Sequence, residues 1–175
     1  LALQRTVRGV PFVFQGEELG MTDYLPRTVE QIFDIQGKIH YQTALQQGLT
    51  QAEALVQAID HSRDASRAPM LWSDAPLAGF SAIASWMPIS NDYRQINAMR
   101  QQQTPGSLWR DYQELIALRR QTAALCEGDG GLLVQTEECV WFMRATASER
   151  IWVAINFGGP VQNPWRAIAA DVLYG

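Results

Sequence analysis

The chain has 175 residues, 47% of them apolar, enough to core one ordinary domain or part of one joined to a smaller second domain. Fourteen Lys and Arg against eighteen Asp and Glu leave a formal charge of −4. With no basic stripe to suit a phosphate backbone, nucleic acid is not an expected partner. Cys126 and Cys139 fall outside any CxxC spacing, which excludes a disulfide framework and fits reduced thiols of a cytoplasmic protein.

Leu1 to Arg8 places Leu3 and Val7 four apart and ends at Gly9, the pattern of the last turns of a helix with a glycine stop. Arg5 and Arg8 interrupt its apolar residues and no cleavage site follows, so the segment is unlike a signal peptide. Val10-Pro11-Phe12-Val13-Phe14 predicts a strand buried on both faces, as in a parallel barrel or sheet, with Pro11 near its start. The cluster Gln15-Gly16-Glu17-Glu18 then stands where barrels carry their chemistry, though a solvated turn has the same composition. Glu17 and Glu18 cannot flank one bond, because neighbours on a strand point to opposite faces.

Thr28 to Tyr41 and Thr50 to Ile59 read as helices separated by Gly48, the second opened by a capping box of Thr50 and Glu53. His61 to Asp74 predicts a packed irregular loop running into Ala75 to Phe80. Ser107 to Arg120 carries Leu108, Tyr112, Leu115, Ile116 and Arg119 at helical spacing after the Pro105-Gly106 break, and suits a helix that closes a barrel. Beyond Gly128 the period changes, and Leu132 to Val134, Val140 to Met143 and Ile151 to Phe157 read as antiparallel strands. The boundary is expected near Leu125, giving segments 1–124 and 125–175.

Three motifs carry a family resemblance. Gly9 to Thr22 (GVPFVFQGEELGMT) resembles the eighth barrel strand and following turn of the α-amylase-like α-glucosidases, and Ser62 to Trp72 (SRDASRAPMLW) resembles their SRDNARTPMQW loop. Tyr112, Leu115, Ile116, Leu118 and Arg119 are similar to the family's final barrel helix. The resemblance, of oligo-1,6-glucosidase type, implies α/β plus all-β architecture: the C-terminal end of a (β/α)8 barrel, with last strand, long loop and closing helix, then a small antiparallel β domain. It implies a retaining hydrolase that releases glucose from short α-linked oligosaccharides, α-1,6-directed, whose two catalytic carboxyl groups stand about 5 Å apart. Those carboxylates match positions upstream of Leu1, so no catalytic residue is assigned here and this segment is expected to be inactive, needing the rest of the same barrel to complete its fold. A trehalose-6-phosphate hydrolase is the alternative within the class; a carbohydrate-binding module or a non-catalytic relative is the alternative outside it.

Substrate-binding assignments follow from the same resemblance. Arg63 matches the family arginine that pairs with an aspartate at the non-reducing-end glucose subsite, a task suited to a planar fork of donors with a permanent charge. For Arg63 and Arg67 the competing role is a loop-shaping salt bridge with Asp64 or Asp60. In Phe33-Asp34-Ile35-Gln36, Gln36 replaces a family Glu at the cleft entrance, keeping reach but losing charge. Ala68 and Leu71 replace the family's Thr and Gln. The partner implied is an oligosaccharide, with no membrane. His40 and His61 lack metal-site spacing, and neither metal nor cofactor is assigned. Trp141 and Trp152 alternate with apolar residues and suit half-buried positions more than a sugar-stacking platform.

Overall fold

The computed structural model describes residues 1–159 and 171–174. In chain order the helices are α1 (Ala2–Thr6), α2 (Ile35–Gln46), α3 (Gln51–Asp60), α4 (Ala98–Gln103), α5 (Leu108–Gln121) and α6 (Ala123–Cys126), and the strands are β1 (Asp129–Gln135), β2 (Cys139–Ala145) and β3 (Arg150–Asn156). Four short 3-10 turns punctuate the segments between helices. Among the described residues the chain divides into two compact units, one of Leu1–Val13 with the residues from Arg110 onward, the other Phe14–Trp109.

The first unit is organised by its sheet, in which β1, β2 and β3 pair in that order and antiparallel throughout. A shift of register between Leu132 and Val134 marks a bulge in β1. The central strand buries Cys139, Trp141, Phe142 and Arg144, so both its faces are covered. Two buried guanidinium groups do the work of joining here. Arg119 donates to the carbonyls of Arg5, Val7 and Gly9, at 2.6, 3.1 and 2.6 Å. Arg144 donates to the carbonyls of Gly128 and Thr6. Burial, then the cations Arg119 and Arg8, lower the Arg144 pKa from its ordinary value.

After α1 one expectation fails. Val10 to Phe14 forms no strand. Val10 is 78% exposed and Phe12 80%, with Val13 and Phe14 also open. A strand rich in apolar residues is held by ladders on its edges and packing on its faces, and no described strand pairs with this one. Its hydrogen bonds are those of a loop and turn: Gln4 donates to the Phe12 carbonyl, the Phe14 N–H donates to Glu17 Oε2, and the Phe14 carbonyl accepts from the Glu17 N–H. The preceding helix does form, with its last helical residue at Thr6 and Gly9 at φ +116° after it.

The second unit is built on the hairpin of α2 and α3. Small side chains let the two helices approach closely, since Ala44, Ala54 and Ala58 are buried. Gly37 lies so near that an added Cβ would stand 2.8 Å from Ile32 Cγ2 and 3.0 Å from the Ala58 carbonyl oxygen. The capping box at Thr50 and Glu53 is present in both directions. Gly48 takes φ +87° at the turn. Beyond the hairpin, Leu71 and Met87 are fully buried, and Leu19, Met70 and Ala98 pack with Met21, Ile96 and Trp109. The loop is tied to α4 by backbone bonds from Ala98 to Leu71 and from Met99 to Trp72.

The first helix of that hairpin starts later than the sequence pattern predicts. Residues 29–31 form a separate 3-10 turn and α2 begins at Ile35, running on to Gln46. The cause is local and polar: Asp34 is extended and caps the helix by accepting from the Gln36 N–H, which fixes the first turn there. Glu17 and Glu18 also lie in a 3-10 turn rather than on a strand, and each accepts from a backbone N–H, of Phe14 and Gly16.

Candidate functional site

Asp34, at the N-terminus of α2, is the hub on which the candidate residues meet. Its side chain is 1% exposed. Oδ1 accepts from the Gln36 N–H at 3.0 Å and from Arg63 Nη2 at 3.2 Å. Oδ2 accepts from the Arg63 N–H at 3.1 Å, Arg63 Nε at 2.7 Å and Arg67 Nη1 at 3.4 Å. The Nε and Nη2 contacts make a bidentate fork, the strongest geometry available between these groups.

The electrostatics follow from this geometry. The Arg63 guanidinium, followed by the Gln36 N–H, holds the Asp34 carboxyl well below the usual carboxylate range. Reciprocally, the hydrogen bond and charge of Asp34 raise the Arg63 pKa. The site therefore keeps a fixed anion and a fixed cation in contact across the whole ordinary pH range. Arg63 remains available to a ligand, because 62% of its side chain is exposed and a guanidinium has five N–H donors, of which Asp34 engages the Nε–H and one on Nη2.

Behind this pair lies a second carboxylate, Asp64, itself 1% exposed. Its Oδ2 accepts from the backbone N–H groups of Phe33 and Asp34, at 2.6 and 2.9 Å, and its own N–H donates to Ser62 Oγ. Burial, then the Asp64 charge, raises the Tyr24 pKa. Phe33 meets Trp86 edge to face, with centroids 5.4 Å apart.

Gln36, Arg63 and Arg67 are thus gathered on one carboxylate, Gln36 through its backbone and both arginines through their side chains. The ion-pair partner of Arg63 is Asp34, not Asp64 or Asp60. Sequence reasoning passed over Asp34, although an Asp two residues before Gln36 at a helix start is an N-cap signal that points to it. His40 and His61 stack with centroids 3.7 Å apart, joining the hairpin rather than forming part of this cluster. Among the described residues no group of three or more His, Cys, Asp or Glu side chains is placed to hold a metal ion. Two surface hollows lie away from the cluster: one of about 240 Å³ is lined mainly by apolar residues including Leu3, Val7 and Phe142, and one of about 300 Å³ by Asp74, Arg94, Asn97 and Arg100.

Residues 1–128 match the sequence family described as Alpha amylase, catalytic domain. The chain belongs to the α-amylase family. Among relatives, it is 30% identical over 161 residues to the glucan 1,6-alpha-glucosidase of Streptococcus pneumoniae serotype 4, covering 92% of this chain and 30% of that protein. It is 32% identical over 162 residues to the trehalose-6-phosphate hydrolase of Escherichia coli K12, covering 92% and 29%. The crystal structure of the trehalulose synthase of Pseudomonas mesoacidophila MX-45 superposes with a TM-score of 0.81 at 35% identity, covering 89% of this chain and 29% of that one. The chain spans less than a third of the length of each. Within this α-amylase-family chain, Asp34 joins Arg63 and Arg67 through its side chain and Asp64 through its backbone. No helix among those residues is long and apolar enough to cross a membrane.

Proposed function

We propose that this chain is part of a retaining glycoside hydrolase that releases glucose from the non-reducing end of short α-1,6-linked gluco-oligosaccharides, with Arg63, Gln36 and Arg67 contributing to its substrate cleft. The observation that carries this reading is the exposed Arg63 guanidinium, locked by a bidentate bond to the buried Asp34 beside the N-terminus of α2. A cation so fixed presents remaining N–H donors in a set direction, which is what recognition of a carboxylate or of sugar hydroxyls needs. The names of relatives that act on α-1,6 bonds support the linkage.

In this reading residues 1–124 belong to the end of a (β/α)8 barrel and 125–175 to a terminal β domain of a cytoplasmic enzyme. The open apolar side chains of Val10, Phe12 and Phe14 are then the place where neighbouring strands of the same barrel pack. The catalytic carboxylates come from those neighbours, so this chain alone is inactive. A role as an independent carbohydrate-binding module is disfavoured by the β strands, where Trp141 is buried and Trp152 half-buried.

Trehalose 6-phosphate is the competing substrate, supported by the similarity to hydrolases of that name. Hydrolysis of isomaltose, maltose and trehalose 6-phosphate by the full-length protein carrying this chain separates the readings. Preference for isomaltose is expected. Preference for trehalose 6-phosphate replaces the substrate, and no hydrolysis of any of the three overturns the enzyme reading.

A further inference from the structure

We infer that Asp64 is a positioning residue for sugar binding, acting through Asp34 on Arg63; this rests on the proposed placement of Arg63 at the substrate cleft. Asp64 is 1% exposed, and its Oδ2 collects the backbone N–H groups of Phe33 and Asp34 from across 31 and 30 residues of sequence. Those two N–H groups precede α2 and have no carbonyl of that helix to bond, so a carboxylate is what sets the path of the chain into the helix. That path in turn places the Asp34 carboxylate, which grips Arg63 by two side-chain bonds and the Gln36 N–H by one.

The arrangement closes on itself in sequence. Arg63 and Asp64 are adjacent, and each reaches back to Asp34, Arg63 to its side chain and Asp64 to its backbone. A displacement of Asp34 therefore moves Arg63 and the first turn of α2 together. The other oxygen of Asp64, Oδ1, is buried and bonds no protein group. A charged acceptor strengthens the two N–H contacts that orient the hub.

The test uses the full-length protein and a double-mutant cycle on KM for isomaltose. Asp64→Asn keeps the shape and removes the charge, so kcat/KM is expected to fall about tenfold, the size of one lost charge-assisted contact, through a raised KM. In an Arg63→Ala background the same change should do little further, because the residue it positions is gone. Ser62→Ala, which frees only the Asp64 N–H, gives a milder variant should Asp64→Asn fail to fold, and a smaller KM effect that again vanishes in the Arg63→Ala background is expected. An unchanged KM in these variants, or effects that multiply with that of Arg63→Ala, overturns the positioning role. If Arg63→Ala itself leaves KM unchanged, the placement of Arg63 at the cleft falls, and the positioning role falls with it.

Discussion

At the scale of the residue, the site is governed by one buried carboxylate. Asp34 ionises at a pH well below that of an ordinary side-chain carboxyl because Arg63 and then the Gln36 N–H bind its charged form. A carboxyl whose folded pKa lies below its unfolded value, about 3.9, stabilises the native state fully above that value and loses the contribution as pH falls toward the folded pKa. Asp34→Asn should therefore destabilise the fold at neutral pH and flatten the acid limb. Unfolding midpoints measured across pH should fall less steeply below about pH 4 in the variant than in the unsubstituted protein. Equal steepness in both would show that Asp34 is not the group that titrates with unfolding.

At the scale of the element, the hairpin of α2 and α3 brings the two halves of the site together, and close packing is what allows it. Gly37→Ala raises helix propensity by about 1 kcal/mol, yet its Cβ meets Ile32, the Ala58 carbonyl and Ser62 Cβ at 2.8 to 3.0 Å. Overpacking should win, lowering stability by about 1 to 2 kcal/mol, as urea unfolding would register. Here the sequence was legible where the controlling interaction was local. The capping box of Thr50 and Glu53, the stop at Gly48 and the strands read from the apolar runs Leu132 to Val134, Val140 to Met143 and Ile151 to Phe157 all depend on near neighbours. The start of α2 carried a local signal, the Asp34 N-cap, but the hold of Asp64 on Phe33 and Asp34, from 30 residues away or more, was not legible. The partner of Arg63 was hidden for the same reason, at a separation of 29 residues.

At the scale of the whole molecule, each of the two compact units has its own device. In one, Arg119 and Arg144 bind backbone carbonyls around a three-stranded sheet; in the other, a small-residue helix hairpin carries the Asp34 cluster. Val10 to Phe14 shows the limit of reading a strand from composition: a β-rich run becomes a strand when ladders form, and no described strand offers one. The family resemblance read from GVPFVFQGEELGMT and SRDASRAPMLW is matched by the comparison over residues 1–128. The substrate assignment depends on the Arg63 fork, and Arg63→Lys isolates it, since lysine keeps the charge but cannot bind Asp34 through two parallel N–H groups. The decisive measurement is kcat/KM for isomaltose of the full-length protein with and without Arg63→Lys. A fall of at least about tenfold is the predicted result, and activity within about twofold of the unsubstituted protein would contradict the role given to the Asp34-held guanidinium.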